Sequence, residues 1–182
     1  MLERGTGSGK ITVKNIGGEL HLRSGSGGLS AGSVKGALYA HTGSGRIQAT
    51  GVSGQIVATT GSGSVDIEQA AAGDVNVGTG SGSVTLRGVQ GGLRVKTGSG
   101  RIEVEGEPTA EWHIGTASGN IDLKTPSQVS FNFDGSTLSG NVNVDRPLTV
   151  QGLVSRHHLQ GKAGNGGVLL EARTLSGNIR ID

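Results

Sequence analysis

Hydroxyl side chains recur at a fixed place in a repeated motif, Thr-Gly-Ser-Gly, whose clearest copy is residues 60–63. A regular line of hydroxyls facing water could order water and bind ice, whereas inward hydroxyls could satisfy backbone groups at turns. Ile56, Ala58 and Thr60 share one side of an extended chain, because side chains alternate between the two faces of a strand. We therefore predict an inward, structural turn ladder that consists of Thr42, Gly43, Thr60, Gly61, Thr79, Gly80, Thr97 and Gly98.

A row of mixed polar and aromatic residues is the best candidate for a ligand-binding face. Each member lies between the two apolar residues of a short apolar–polar–apolar triplet, so it points away from the core when the triplet is a strand. The residue types vary along the row, which indicates a variable surface that could face a ligand. This candidate ligand face consists of His21, Tyr39, Asn76, Arg94, His113 and Asn132, with Val57 between the second and third of them.

Carboxylates could support hydrolysis if two of them were paired at a suitable separation. The densest acidic cluster lies beside basic residues of the same segment, which is typical of a solvated surface. Its members are Glu103, Glu105, Glu107 and Glu111, and its basic neighbours are Arg101 and His113. Asp66, Asp74 and Asp122 are scattered over two faces of the predicted strands. We therefore predict no catalytic residues and no enzyme.

Metal and cofactor sites are also not indicated. Calcium-binding β-rolls need an Asp in each half-repeat, and the matching positions here hold Lys10, Arg46, Ser64, Ser83, Arg101 and Asn120. His157 and His158 lie in an irregular segment, and the other histidines lie many repeats away. The Gly-x-Gly strings are not phosphate loops, because neither a helix nor a Lys-Ser/Thr pair follows them.

Charge and hydropathy exclude two further classes of partner. The 16 basic and 14 acidic residues are spread along the chain without runs, and aromatic residues make up 2% of it. Nucleic-acid binding is therefore not expected, because it needs a basic patch or aromatic stacking platforms. Apolar runs do not approach the roughly 20 residues of a membrane span. The first four residues, Met-Leu-Glu-Arg, lack the apolar region of a signal peptide.

The motif repeats with a strict period through most of the chain. Its first glycine is residue 7, 25, 43 and 61 in successive copies, a spacing of 18 residues. Each repeat holds two apolar–polar–apolar triplets, a period of two that predicts half-buried strands. Stacking of such short strands on the next repeat predicts an all-β, parallel β-solenoid with two strands per coil, and we expect a right-handed one. The 36 glycines fit the corners, where we expect positive φ.

The period loosens after residue 124. We predict one domain, 1–182, with regular coils over 1–124 and irregular C-terminal coils and a cap over 125–182. Phe131 and Phe133 are expected to continue the stack directly after Trp112 and Ile114. The cap would cover the C-terminal strand edge, while an open N-terminal edge would let a second copy pair with it as a homodimer.

The run Thr-Gly-Ser-Gly-x-Ile-x-Val, alternating with Val-x-Gly-x-Leu-x-Val, resembles a large bacterial family of adhesin-like β-strand-repeat proteins of unknown function. The ending, residues 164–170 and 174–179, is similar to the close of that domain. The resemblance covers nearly the whole chain. It implies a location in the cell envelope or outside the cell, and it brings no catalytic residues with it.

These observations lead to a non-enzymatic structural or adhesin-like binding module of the cell envelope or cell surface. Its partner would be a cell-surface protein or a glycan. The alternative is an ice- or carbohydrate-binding solenoid face, and a third hypothesis, by analogy with β-helices, is an enzyme that acts on polysaccharides.

Overall fold

The computed structural model describes residues 1–150 and 155–182. These residues form twenty β-strands and no helix. The strands are β1 (Leu2–Thr6), β2 (Ile11–Ile16), β3 (Leu20–Ser24), β4 (Leu29–Val34), β5 (Leu38–Thr42), β6 (Ile47–Val52), β7 (Ile56–Ser62), β8 (Val65–Gln69), β9 (Val75–Ser81), β10 (Val84–Gln90), β11 (Leu93–Ser99), β12 (Ile102–Glu107), β13 (Trp112–Ser118), β14 (Ile121–Lys124), β15 (Phe131–Ser139), β16 (Val142–Val144), β17 (Thr149–Val150), β18 (His158–Ala163), β19 (Leu169–Ser176) and β20 (Ile179–Ile181).

The strands alternate between two sheets that face each other. The long sheet has the order β1-β3-β5-β7-β9-β11-β13-β19-β15-β18-β17, and the short sheet has the order β16-β20-β14-β12-β10-β8-β6-β4-β2. Pairing is parallel throughout the described strands except where β18 runs antiparallel to β15 and β17. The prediction of an all-β parallel solenoid with about 18 residues and two strands per coil is confirmed.

Inward residues form continuous apolar ladders between the sheets. In the short sheet, for example, Val84, Ile102 and Ile121 are register partners on successive strands, and all three are fully buried. A single coil exposes both sides of its backbone, so each coil is stabilised by the neighbours stacked on it. The core is therefore a set of equivalent layers about 4.8 Å apart.

The first glycine of each motif is required by this stacking rather than by positive φ, whereas the expected positive φ is found at the second glycine in later coils, for example 146° at Gly82 and 151° at Gly100. An added Cβ at Gly43, Gly61, Gly80 or Gly98 would lie 2.3–2.6 Å from the carbonyl oxygen of the equivalent glycine one coil earlier. A carbon and an oxygen cannot approach so closely without displacing the backbone. Positive φ also occurs at the other bend of the coil, for example at Gly51 and Gly88, where φ is 68° and 67°.

The C-terminal coils do not stack in chain order. The coil β19–β20, last along the sequence, lies between β13–β14 and β15–β16. Phe133 therefore pairs with Leu170, which pairs in turn with Trp112, so the expectation that β15 directly follows β13 is wrong. Phe131 lies two residues before Phe133 on β15 and is the register partner of Ala163 of β18. Local patterns could not reveal this order, because β19 carries the same strand signal as its neighbours.

The two ends of the solenoid differ. At the C-terminal end, β17 and β18 cover β15, and the guanidinium of Arg146 lies 5.2 Å from the centre of the Phe131 ring. At the other end, β1 and β2 are the edge strands, and Leu2, Ile11 and Val13 pack against the core while partly exposed. The homodimer through this edge stays a prediction.

Removal of one whole coil should leave a folded protein. Deleting residues 43–60 would bring Thr42 next to Gly61 and let β5 pair with β9 in the register that β7 now uses. We expect a cooperative thermal unfolding transition and a β-type circular dichroism spectrum. Deleting only residues 43–51 should give an unfolded chain, because half a coil takes the following strands out of register. A folded half-coil deletion would contradict the coil assignment.

The corner contact predicts the effect of a single methyl group. Gly61→Ala should lower the free energy of unfolding by about 1–3 kcal/mol, the usual cost of overpacking, because its Cβ would overlap the Gly43 carbonyl oxygen. Gly78→Ala is the control, since the nearest atom to its Cβ would be 3.9 Å away. Urea unfolding of both variants measures the difference, and equal stability would argue against the stacking explanation.

Candidate functional site

The threonines of the repeated motif point into the solenoid. Thr42, Thr60 and Thr79 are at least 93% buried, and their hydroxyls donate hydrogen bonds of 3.0, 3.1 and 3.2 Å to corner carbonyls of the preceding coil. Thr97 is 7% exposed in the same column, and its hydroxyl has no hydrogen-bond partner among the described residues. The row presents no flat hydroxyl surface to solvent, so it offers no ice-binding face.

The predicted ligand face lies on the outside of the long sheet. Strand register places most of its members side by side, together with three residues that the sequence interpretation missed. Asn132 is not one of them: it pairs with Leu169, and Asp134 holds the place expected for it. We call the resulting set the polar row: Glu3, His21, Tyr39, Val57, Asn76, Arg94, His113, Glu171 and Asp134.

A signal for the missed residues exists in the sequence. Each member of the polar row comes three residues before the Thr or Ser of the motif, so counting back from Thr6, Thr174 and Thr137 gives Glu3, Glu171 and Asp134. Counting from the aromatic pair at 131 and 133 placed Asn132 in the row instead. Asn132 has a local role, because its side-chain amide donates a 2.7 Å hydrogen bond to the Gly167 carbonyl.

At the N-terminal end of the polar row, the rings of His21 and Tyr39 are stacked. Their centres are 4.6 Å apart and their planes are inclined by 21°. The His21 Nε2 atom contacts the Glu19 carboxylate, which orients the imidazole ring. The ring pair borders a shallow groove of about 430 Å³ that also reaches Arg23 and His41. The groove therefore combines a flat aromatic surface with hydrogen-bond donors.

A second outward row runs beside the polar row, two residues further along each strand. It contains basic and small residues and no carboxylate within the described strands, and we call it the basic row: Gly5, Arg23, His41, Thr59, Gly78, Lys96, Gly115, Arg173 and Ser136. Arg23, His41 and Lys96 are exposed. The row is thus a line of positive and neutral groups parallel to the solenoid axis.

Carboxylates near the C-terminal part of the polar row are paired with cations or with histidine. The His113 Nδ1 atom lies 2.8 Å from Glu171 Oε2, and its Nε2 atom lies 3.4 Å from Glu111 Oε2. Glu171 also forms an ion pair with Arg173. A second groove of about 430 Å³ lies next to this cluster and is lined by Asn76 and Arg94.

The outside of the short sheet is a ladder of paired charges. Arg101 and Asp122 form an ion pair of 2.7 Å, and Lys124 and Glu103 form one of 3.0 Å. The hydrogen bond from Lys124 holds the pKa of Glu103 below its ordinary value. Opposite charges on neighbouring strands thus satisfy one another, which leaves this face with less charge to offer a ligand.

The charges are also uneven along the axis. Residues 1–65 contain six basic and two acidic residues, whereas residues 66–182 contain ten basic and twelve acidic ones. The His21–Tyr39 groove lies in the first of these segments. The positive end of the solenoid therefore coincides with its aromatic surface.

The remaining histidines do not form a site. His157 Nδ1 lies 2.8 Å from the Gly140 carbonyl oxygen, and His158 Nδ1 lies 3.9 Å from Asp134. Within residues 1–150 and 155–182, no three His, Asp or Glu side chains converge as metal ligands would. Nor does any helix in these ranges have the length and hydropathy to cross a membrane.

Two facing parallel sheets, repeated corners and outward rows of variable residues define a β-solenoid repeat module. The chain belongs to the Toastrack DUF4097 family, whose profile matches residues 4–182. The expected resemblance to a β-repeat family of unknown function is thereby confirmed. No curated protein and no solved structure matches the chain.

The ion pair on the short sheet predicts a pH dependence. Because Lys124 lowers the pKa of Glu103, the stabilisation is present above the pKa of the unfolded state and is lost as pH falls through the folded-state pKa. Lys124→Met should raise the pKa of Glu103, which carbon-13 NMR titration of its carboxyl would show. Lys96→Met is the control, since Lys96 lies on the other sheet. An unchanged Glu103 titration in Lys124→Met would contradict the assignment.

Proposed function

We propose that this Toastrack domain is a non-enzymatic binding module of the cell envelope or cell surface. Its ligand is an extended acidic glycan that lies along the polar and basic rows of the long sheet. The observation that carries the proposal is the groove in which the stacked His21–Tyr39 rings adjoin Arg23 and His41.

Aromatic and basic groups have complementary roles in such a site. A sugar ring has an apolar face that can cover the exposed side of a stacked aromatic pair, and binding sites commonly combine aromatic surfaces with a few placed polar groups. Exposed Arg23 and Lys96 can donate to carboxylate or sulfate groups, and Arg does so through two parallel hydrogen bonds. Both residues lie in the basic row, where the described strands contribute no competing carboxylate.

The repeat geometry suits a linear polymer. Each coil places another member of both rows about 4.8 Å further along the axis, so successive units of a linear chain can lie over successive coils. The groups on the short sheet are less suitable, because Arg101 and Lys124 are already paired with carboxylates. Charge complementarity therefore favours the long sheet.

Binding without cleavage is the favoured activity. Glycoside hydrolysis needs two carboxyl groups about 5–9.5 Å apart that serve as acid and as nucleophile or base. On the long sheet, Glu171 is engaged by His113 and Arg173. These contacts favour a role for Glu171 in holding its neighbours in place rather than in attacking a sugar. The resemblance in sequence supports the proposed envelope or extracellular location, which cell fractionation would test.

A binding measurement with matched variants tests the proposal. Polygalacturonate is the acidic probe and dextran is the neutral one, both followed by isothermal titration calorimetry at low and moderate salt. We expect salt-dependent binding of polygalacturonate only. Arg23→Gln and Tyr39→Ala should each weaken it about fivefold or more, which corresponds to about 1 kcal/mol.

Arg46→Gln is the matched control, because it removes an exposed positive charge from the same end of the solenoid but from the corner before β6 of the short sheet. Its affinity should stay within about twofold of the unmodified protein. Equal losses in Arg46→Gln and Arg23→Gln would indicate non-specific attraction by net charge and would contradict a site on the long sheet. So would the absence of polygalacturonate binding at low salt.

A further inference from the structure

The coil β19–β20 occupies a slot inside the solenoid instead of its end. In the long sheet β19 pairs with β13 on one side and with β15 on the other, and in the short sheet β20 lies between β14 and β16. The chain must therefore pass the slot, form β15, β16 and the β17–β18 cover, and then return to fill it. No other coil of the described residues has this arrangement.

The slot and its occupant are complementary along their whole length. Leu170, Ala172, Ile179 and Ile181 of the inserted coil are fully buried. The Thr174 hydroxyl donates to the Gly119 carbonyl oxygen on one side, and the Gly177 carbonyl oxygen accepts from Thr137 on the other. These contacts are of the same kind as those between two ordinary neighbouring coils. The same segment from a second copy of the chain would therefore fit the slot equally well.

The strands that flank the slot have matching registers. Phe133 and Trp112 pair with the same residue, Leu170, and Thr137 and Thr116 both pair with Thr174. If the inserted coil left, β15 could move onto β13 without any slip in register. The slot can thus close behind a departing coil, which removes the penalty of leaving two buried strand edges unpaired.

A glycine-containing turn forms the connection that would have to open. Residues 164–168 join β18 to β19, with φ of 58° at Gly164 and 77° at Gly166. The turn is held by polar contacts to the end of β15, among them the 2.7 Å hydrogen bond from Asn132 to Gly167. Few apolar contacts need to break for it to straighten, because its only apolar member, Val168, is partly buried.

We propose that β19–β20 is an exchangeable coil and that two copies of this chain pair by each placing it in the slot of the other. A swapped dimer keeps every strand contact of the monomer and differs only at the turn, which is the condition under which exchange of an element is inexpensive. The dimer would carry two long sheets, although the proposal does not depend on what those sheets bind.

Cysteine cross-linking of the full chain tests the exchange, because the natural sequence contains no cysteine. Gly115 of β13 and Arg173 of β19 are register partners on the outer surface, at a strand spacing within the range that a disulfide spans. Gly115→Cys protein is mixed with Arg173→Cys protein in native buffer and then oxidised. A yield of cross-linked heterodimer above the background of random surface cross-linking requires that one chain has inserted its last coil into the other.

Three controls make the outcome decisive. The double variant Gly115→Cys/Arg173→Cys should close within one chain at low concentration, which shows that the geometry permits the bond. Each single variant alone measures random surface cross-linking. Gly78→Cys mixed with Lys96→Cys is the matched pair, since these residues are also register partners but belong to coils that follow each other in the chain.

We expect heterodimer from the 115/173 mixture, in a yield that increases with protein concentration, and none above background from the 78/96 mixture. Amide hydrogens of β19 and β20 should exchange with solvent faster than those of β7 and β9, at a rate comparable to heterodimer formation. If the double variant closes but the mixture gives no heterodimer, the proposal is wrong. It is also wrong if heterodimer appears only as fast as the β7 and β9 amides exchange, because whole-molecule unfolding would then explain it.

Discussion

Close parallel stacking of one coil on the next is the constraint on which this molecule depends. Strands about 4.8 Å apart bring corner backbones so near that a Cβ at Gly61 would overlap the Gly43 carbonyl oxygen. The same proximity lets the Thr60 hydroxyl reach the Gly45 carbonyl oxygen of the preceding coil. The Thr-Gly-Ser-Gly motif is therefore one solution to one packing problem: small residues where backbones meet, and a buried donor for a carbonyl that would otherwise lack a partner.

The repeat made most of the fold predictable, because period and parity together determine which residues share a column. Ile56, Ala58 and Thr60 point inward in the structure, as their alternation indicates. Stacking order is a different property, since any strand with the same apolar pattern can occupy any layer. That is why β15 was expected to follow β13, and why Asn132 was placed in a row where Asp134 lies. Counting from the motif threonine therefore assigns a residue to its column more reliably than counting from an aromatic pair does.

The outer faces of the two sheets have the same strand spacing but a different arrangement of charges. On the short sheet, oppositely charged residues on neighbouring strands pair, as Glu103 does with Lys124, and such exposed pairs contribute little to stability. On the long sheet, the basic row leaves Arg23 and Lys96 exposed beside the polar row. Self-pairing suits a surface that only needs to be soluble. Exposed Arg23 and Lys96, in a row that itself contributes no carboxylate, suit attraction of an external anion, which is why we assign binding to the long sheet.

The stacking order of the C-terminal coils is related to a problem common to solenoids, namely an exposed strand edge at each end. The cover of the long sheet is β18, which runs antiparallel to β15, with β17 paired to its other side. Returning the last coil to a slot between β13 and β15 buries that segment on both sides. Residues 164–168 are its only link to the segment that precedes it. The coil thus combines pairing on both sides with a short connection to the cover, so the arrangement that protects the solenoid end also creates the element that we propose can exchange.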